Sequence, residues 1–250
     1  MALPKVQVMH HTLTLPSTGK EVRFRPFLVK EEKILMMAMQ SGESKDMISS
    51  LKDIINNCME EDIKVSELAM FDFEYVFLQL RARSIGDTID IKYSDPEAVC
   101  SIDSKECTFL SILHIDDIKL ESISDQKDLI DITDTIKVKL RWPKVDDAAM
   151  MDTLSSDGND QTKIIENTFS MIANCIEYIM DGKEMHKPAD YTKVEVNDFL
   201  NSLTSNQFKS IQKYFETLPK LKKDVTSTCS KCGDTNVKRL EGVSDFFAWG

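Results

Sequence analysis

Apolar and polar positions alternate loosely along VQVMHHTLTL at 6–15, which predicts a strand. PSTGK at 16–20 reads as a turn and EVRFRPF at 21–27 as a second strand, so the chain is expected to open with a hairpin. In that second strand Val22 and Phe24 share one face, Arg23 and Arg25 the other. Pro26 ends the pairing because it lacks an N–H. A helix follows from about Val29 to Gln40, with Glu31 and Glu32 in the first turn, where the helix dipole favours anions. From Ile34 to Met39 it is apolar on every side, a pattern of burial between layers or against a partner.

The spacing of Met47, Ile48, Leu51, Ile54, Ile55 and Cys58 predicts an amphipathic helix over about 45–59, with Cys58 as a small core residue. A third helix is expected over about 66–83, capped by Ser66. Strand patterns then appear at 88–93, 108–115 and 134–143, read as one small antiparallel sheet whose first two strands flank a loop holding Cys100 and Cys107. Residues 144–154 suggest another helix, and SSDGNDQ at 155–161 a polar loop. Ile165, Phe169, Ile172, Ile176 and Ile179 predict a helix over 162–180. Thr192–Glu195 and Thr204–Gln207 are capping boxes that open two more helices. The tail reads as a cysteine turn between two strands. No internal repeat is evident. The order is α+β, divided as an N-terminal hairpin and three helices (1–87), a small β-sheet region (88–143), and a helical region with a CxxC ribbon like that of zinc-ribbon proteins (144–250).

Composition narrows the function classes. The chain of 250 residues is 42% hydrophobic and 29% charged, with a net charge of −11. An acidic chain repels a nucleic-acid backbone and an anionic membrane surface, so neither is expected as a partner. The short cluster Lys220–Lys223 follows an expected helix end and reads as a dipole complement. No apolar run has membrane-spanning length, and the N-terminus lacks a signal-peptide core. Six cysteines are too scattered for a secreted disulfide scaffold.

Catalytic signatures are missing from the sequence. STGK at 17–20 lacks the upstream glycine of a phosphate-binding loop, and Glu21 replaces its metal-binding hydroxyl. His10 and His11 point to opposite faces of a strand and cannot share an ion. His114 and His186 have no nucleophile at a catalytic spacing. The metal-like feature is CSKCG at 229–233: the turn aims two thiolates at one ion, and the glycine lets the backbone fold back. Cys100 and Cys107 are the remaining close pair. Cys100, Cys107, Cys229 and Cys232 would form a four-thiolate zinc site stapling the C-terminus onto the central sheet. The alternative is a metal-free turn with four reduced thiols. A catalytic dithiol is disfavoured, because no helix follows the CxxC to lower a thiol pKa.

LPSTGKEVRFRPFLVKEEKILMMA near the start, FDFEYVFLQLRARSIGD in the first half, and CSKCG with VKRLEGVSDFF at the end resemble the baseplate hub protein family of T-even-type contractile-tailed bacteriophages. The resemblance implies a non-enzymatic structural or assembly role. It implies other baseplate hub and tail proteins as partners, and a place in the virion tail or in the host cytoplasm during assembly. It does not itself supply the second cysteine pair. In this setting Arg23, Arg25, Phe27, Lys30, Glu31, Glu32 and Lys33 form a candidate partner-binding edge, with mixed charge at the lip of an apolar helix. The competing reading pairs Arg25 with Glu31 or Glu32 internally and makes the helix ordinary core. A different class of function, a zinc-ribbon adaptor or regulator binding host factors, fits CSKCG and the acidic surface.

Overall fold

A computed structural model describes residues 7–41, 44–121, 127–147 and 161–242. The opening hairpin forms as expected: β1 (His11–Thr14) pairs antiparallel with β2 (Glu21–Phe24), Leu13 opposite Val22. Val22 and Phe24 are buried, so the alternation sets which face meets the core. α1 (Val29–Ser41) and α2 (Ser44–Cys58) follow. α2 buries Leu51, Ile54, Ile55 and Cys58, the stripe its spacing predicts.

α3 (Met70–Ser84) is the central element. Its cap is Ala69, with no side-chain hydrogen bond; Ser66 lies in a preceding 3-10 turn over Val65–Glu67. The expected cap fails because that turn and the bridge of Ala69 to Lys144 intervene before the helix starts. Phe73, Phe77 and Leu80 pack into one core with the hairpin and α2. Leu78, on the other side, joins a second core with Ile89, Ile91, Leu113, Leu221 and Leu240. One helix therefore serves two cores.

The second core belongs to a five-stranded antiparallel sheet. β3 (Thr88–Val99) pairs with β4 (Glu106–His114), β4 with β10 (Lys220–Cys229), and β10 with β11 (Thr235–Glu241). β5 (Lys119–Glu121) also pairs with β10. The third expected strand does not join this sheet. It forms β7 (Ile136–Leu140), which lies between β6 (Leu129–Asp131) and β8 (Ile176–Asp181), with β9 (Glu184–His186) beyond. Both sheets thus pair residues on either side of position 143.

The helix expected over 162–180 is also corrected. α4 (Gln161–Cys175) stops at Cys175, and the chain continues as β8. Ile176, Tyr178 and Ile179 lie opposite Leu140, Lys139 and Val138, so sheet pairing overrides a period that fitted both structures. Gly182, at φ +59°, turns β8 into β9. α5 (Lys193–Asn201) and α6 (Ser205–Glu216) begin at the two expected capping boxes, each with both reciprocal hydrogen bonds. With β7, β8 and α4 they enclose a third core of Val138, Leu140, Ile172, Leu200 and Ile211.

Lys220–Lys223 lies on β10, not at a helix end. Lys220 pairs with Glu241, Lys222 with Glu121 and Lys223 with Asp117, while Leu221 is buried. The cluster is cross-strand charge matching. The helix expected at 144–154 and the loop at 155–161 lie outside the described residues, apart from Lys144–Asp147 and Gln161. No helix among the described residues is long and apolar enough to cross a membrane.

Candidate metal centre

Two ribbon tips meet at the knuckle end of the five-stranded sheet. β3 ends at Val99 and Cys100 begins the turn into β4, which carries Cys107; β10 ends at Cys229, and Cys232 sits in the turn before β11. β10 pairs with β4 through Thr228 opposite Leu110 and Cys229 opposite Phe109, and Ser230 N–H donates to Thr108 O at 3.1 Å. This seam brings the turns together.

The four sulfurs all lie within 4.8 Å of one another. Cys107 Sγ and Cys232 Sγ are 3.7 Å apart, far beyond a disulfide bond. A tetrahedral zinc with Zn–S bonds of about 2.3 Å requires sulfurs about 3.8 Å apart, so the cluster has the dimensions of one ion. Cys100, Cys107 and Cys229 are buried and Cys232 is half-buried. Phe109, stacked on Tyr93, closes the apolar side.

The local field favours a thiolate at one position first. Backbone N–H groups of Cys232 and Lys231 point at Cys229 and hold its thiol at about 6, against the opposing effect of burial. Burial, together with hydrogen bonds to Cys229 and Cys232, pushes Cys107 far above the ordinary thiol range. A cation entering here would displace the remaining protons. The turn geometry that makes this possible is visible at Gly233, whose φ of +80° suits a residue without a side chain. Cys58 and Cys175 stand elsewhere, and burial raises their thiols to about 11 and about 12; they are core residues.

Sequence reasoning brought the four cysteines together but missed Asp103 and Lys231. The Lys231 ammonium pairs with the Asp103 carboxylate, tying one turn to the other across the thiols. The available signal was positional: Asp103 follows Cys100 in CSID as Cys232 follows Cys229 in CSKC.

The other candidate residues separate into two sets. Arg25 Nη2 lies 2.9 Å from Glu31 Oε1, and Glu31 also accepts from Leu28 N–H at 2.8 Å. Arg25 donates further to Pro26 O and Asn57 O. Phe27 is buried, and its N–H donates to Ser84 Oγ. These three are internal. Arg23, Lys30 and Lys33 are exposed and Glu32 half-exposed, although Arg23 also pairs with Glu60. The apolar helix they flank is only partly covered: Leu35 and Ala38 are buried, while Val29, Met36 and Met37 are 66%, 55% and 72% exposed. His10 pairs with Glu60, His11 packs on Phe24, and His186 bonds Tyr191 Oη, so the histidines are dispersed.

Comparison with known proteins gives one family model, described as T4 bacteriophage base plate protein, which matches residues 8–248. No curated protein and no solved structure matches the chain.

Proposed function

We propose a role that follows from one fact: this chain belongs to the T4 bacteriophage base plate protein family. It is a structural component of the phage tail baseplate. Within the baseplate it belongs to the hub or its assembly, acts without catalysis, and works through contacts with other hub and tail proteins. The match across 8–248 carries the baseplate assignment, because it spans every described element rather than one motif; the hub and the non-catalytic role are our extension of it. The exposed side of α1 supports it. Val29, Met36 and Met37 lie open on this helix, an apolar surface that a partner can cover. Lys30, Lys33 and Arg23 at its rim supply the register.

Mass spectrometry of purified tails, with affinity capture of the tagged chain from infected cells, tests the role. The chain is expected in stoichiometric amount in tails, or bound to hub proteins during assembly. Its absence from both would overturn the proposal.

The four-cysteine cluster is a structural zinc site in this reading. Cys100, Cys107, Cys229 and Cys232 would hold the ion, which clamps the two ribbons where only two residue pairs join β4 to β10. Elemental analysis should find one zinc per chain, lost on Cys229→Ser.

A further inference from the structure

Two stretches of the chain, distant in sequence, hold themselves together with the same hydrogen bonds. Arg25 N–H donates to Cys58 O at 2.9 Å, and Arg141 N–H donates to Cys175 O at 2.8 Å. Arg25 Nη1 donates to Pro26 O, the next residue; Arg141 Nη1 donates to Trp142 O, the next residue. Arg25 Nη2 reaches Asn57 O just before Cys58, and Arg141 Nη2 reaches Asn174 O just before Cys175. The acids correspond too. Glu31 takes Arg25 and the Leu28 N–H; Asp147 takes Arg141 and the Lys144 N–H. Each arginine follows the second strand of a hairpin, β1–β2 or β6–β7, and that strand then meets the residue after the cysteine: Phe24 bridges Met59, and Leu140 lies opposite Ile176.

The correspondence continues to the ribbon tips. α3 runs into the β3–β4 ribbon and α6 into the β10–β11 ribbon. Cys100 N–H donates to Lys105 O at 2.7 Å, and Cys229 N–H donates to Asp234 O at 2.7 Å. Ser104 N–H returns to Cys100 O and Gly233 N–H to Cys229 O. Ser104 and Gly233 both have positive φ, +54° and +80°. Each unit's second ribbon strand also faces the other unit's first. β4 meets β10 through backbone pairing, while β11 meets β3 through side chains, Asn236 Nδ2 donating to Asp95 Oδ2 at 2.7 Å and Lys238 lying over the Tyr93 ring. The sequence shows no repeat because these shared contacts fall on backbone atoms and on a few residue types.

We infer that the chain is two copies of one hairpin–helix–ribbon unit, and that position 103 is a ligand position of the shared metal centre that the first unit has vacated. The turns align Cys100 with Cys229 and Asp103 with Cys232. The ribbon registers align Glu106 with Thr235 and Cys107 with Asn236. Cys107 therefore supplies from the strand the thiolate that the first turn no longer provides. The Asp103 carboxylate is held by Lys231 of the opposite turn, the residue before Cys232. The metal is the clasp between the units. This rests on the zinc reading above.

Cobalt(II) titration of the full chain, followed by thiolate absorption, tests it. Wild type and two variants are compared: Cys107→Asn and Asp103→Cys/Cys107→Asn. Even loss of an outer-shell partner costs a metal site about tenfold or more, so Cys107→Asn should weaken binding at least that much. The double variant should recover most of the loss. In the double variant, where Cys107 no longer fills the fourth position, zinc should shield the introduced thiol from alkylation as well as it shields Cys100. A double variant no tighter than Cys107→Asn, or an introduced thiol that alkylates freely beside a shielded Cys100, overturns the assignment of position 103. Wild type that binds neither cobalt nor zinc overturns the metal reading itself, a separate outcome.

Discussion

Arg25 Nη2 and Glu31 Oε1 stand 2.9 Å apart at the entrance to α1, with the Glu31 side chain 1% exposed. Burial disfavours the Glu31 charge, but hydrogen bonds from Arg25 and the Leu28 backbone hold its carboxyl below the usual range. Glu31→Gln would leave a half-buried guanidinium without its counter-charge, at a cost of about 3–5 kcal/mol. The pH dependence has a definite sign. A depressed folded pKa gives stability that is complete above the unfolded value of about 4.3 and is lost as pH falls through the folded one. Acid titration of urea midpoints should therefore show a steeper loss below about pH 4.3 in wild type than in Glu31→Gln. Equal slopes would mean the pair contributes nothing.

Asp147, which is buried, makes the corresponding pair with Arg141 at 2.7 Å, and Arg141 in turn donates to Asn174 O at the end of α4. Asp147→Asn should destabilise the chain in the same direction as Glu31→Gln, measured by denaturant melting. The two substitutions share no partners, so their costs should add within about 0.5 kcal/mol.

α3 gives a test of cooperativity. Phe77 and Leu78 are neighbours in sequence but sit in different cores, one with the hairpin and α2, the other with the five-stranded sheet. Phe77→Ala should cost about 3–5 kcal/mol and Leu78→Ala about 2–5. If α3 joins the two cores mechanically, each variant should unfold in one transition, seen alike by far-ultraviolet dichroism and by fluorescence of Trp142, which packs edge-on to Phe71 at 5.1 Å. Separate transitions would show that the cores are independent.

Local chemistry was legible in the sequence where a single element determines it. The capping boxes at Thr192 and Thr204, the α2 stripe and the turn at Gly233 all depend on neighbours a few residues away. Pairing between distant strands was not legible. Ile176 and Ile179 fit a helical stripe as well as a strand, and only their opposition to Leu140 and Val138 decides between the two. The Asp181–Gly182 dipeptide was the one local signal of that hairpin. β7 alternated plainly, yet nothing in its residues told which sheet it joins. In the candidate site the thiols were found by residue type, whereas Asp103 became visible only through the matching turn geometry. An internal pair of Arg25 with Glu31 or Glu32 was legible as the competing reading, but the charges alone decided neither between that pair and a partner-facing edge nor between the two acids.

Removing metal should loosen the seam between the ribbons more than the cores. β10 joins β4 through two residue pairs beside the cysteines, while the three cores lie farther along the sheet and helices. A chelator should therefore raise amide hydrogen exchange at Thr228–Gly233 and Val99–Phe109 first, and lower the melting temperature. The metal-bound state should also weaken with acid, because each thiolate ligand is released only in competition with a proton. Unchanged exchange at both tips after chelation would show that the turns hold themselves.

The exposed side of α1 gives the prediction closest to function. Val29 and Met37 lie mostly in solvent, so Val29→Glu and Met37→Glu should change stability by no more than about 0.5 kcal/mol. A charge placed in a buried contact is costly, so both should reduce incorporation of the chain into tails, read as its ratio to other tail proteins in purified particles. Val237, equally exposed but on β11, is the control: Val237→Glu should assemble normally. Loss of assembly from the β11 variant and not from the α1 variants would move the docking face to the outer side of the sheet, where Leu110 and Ile112 are also exposed.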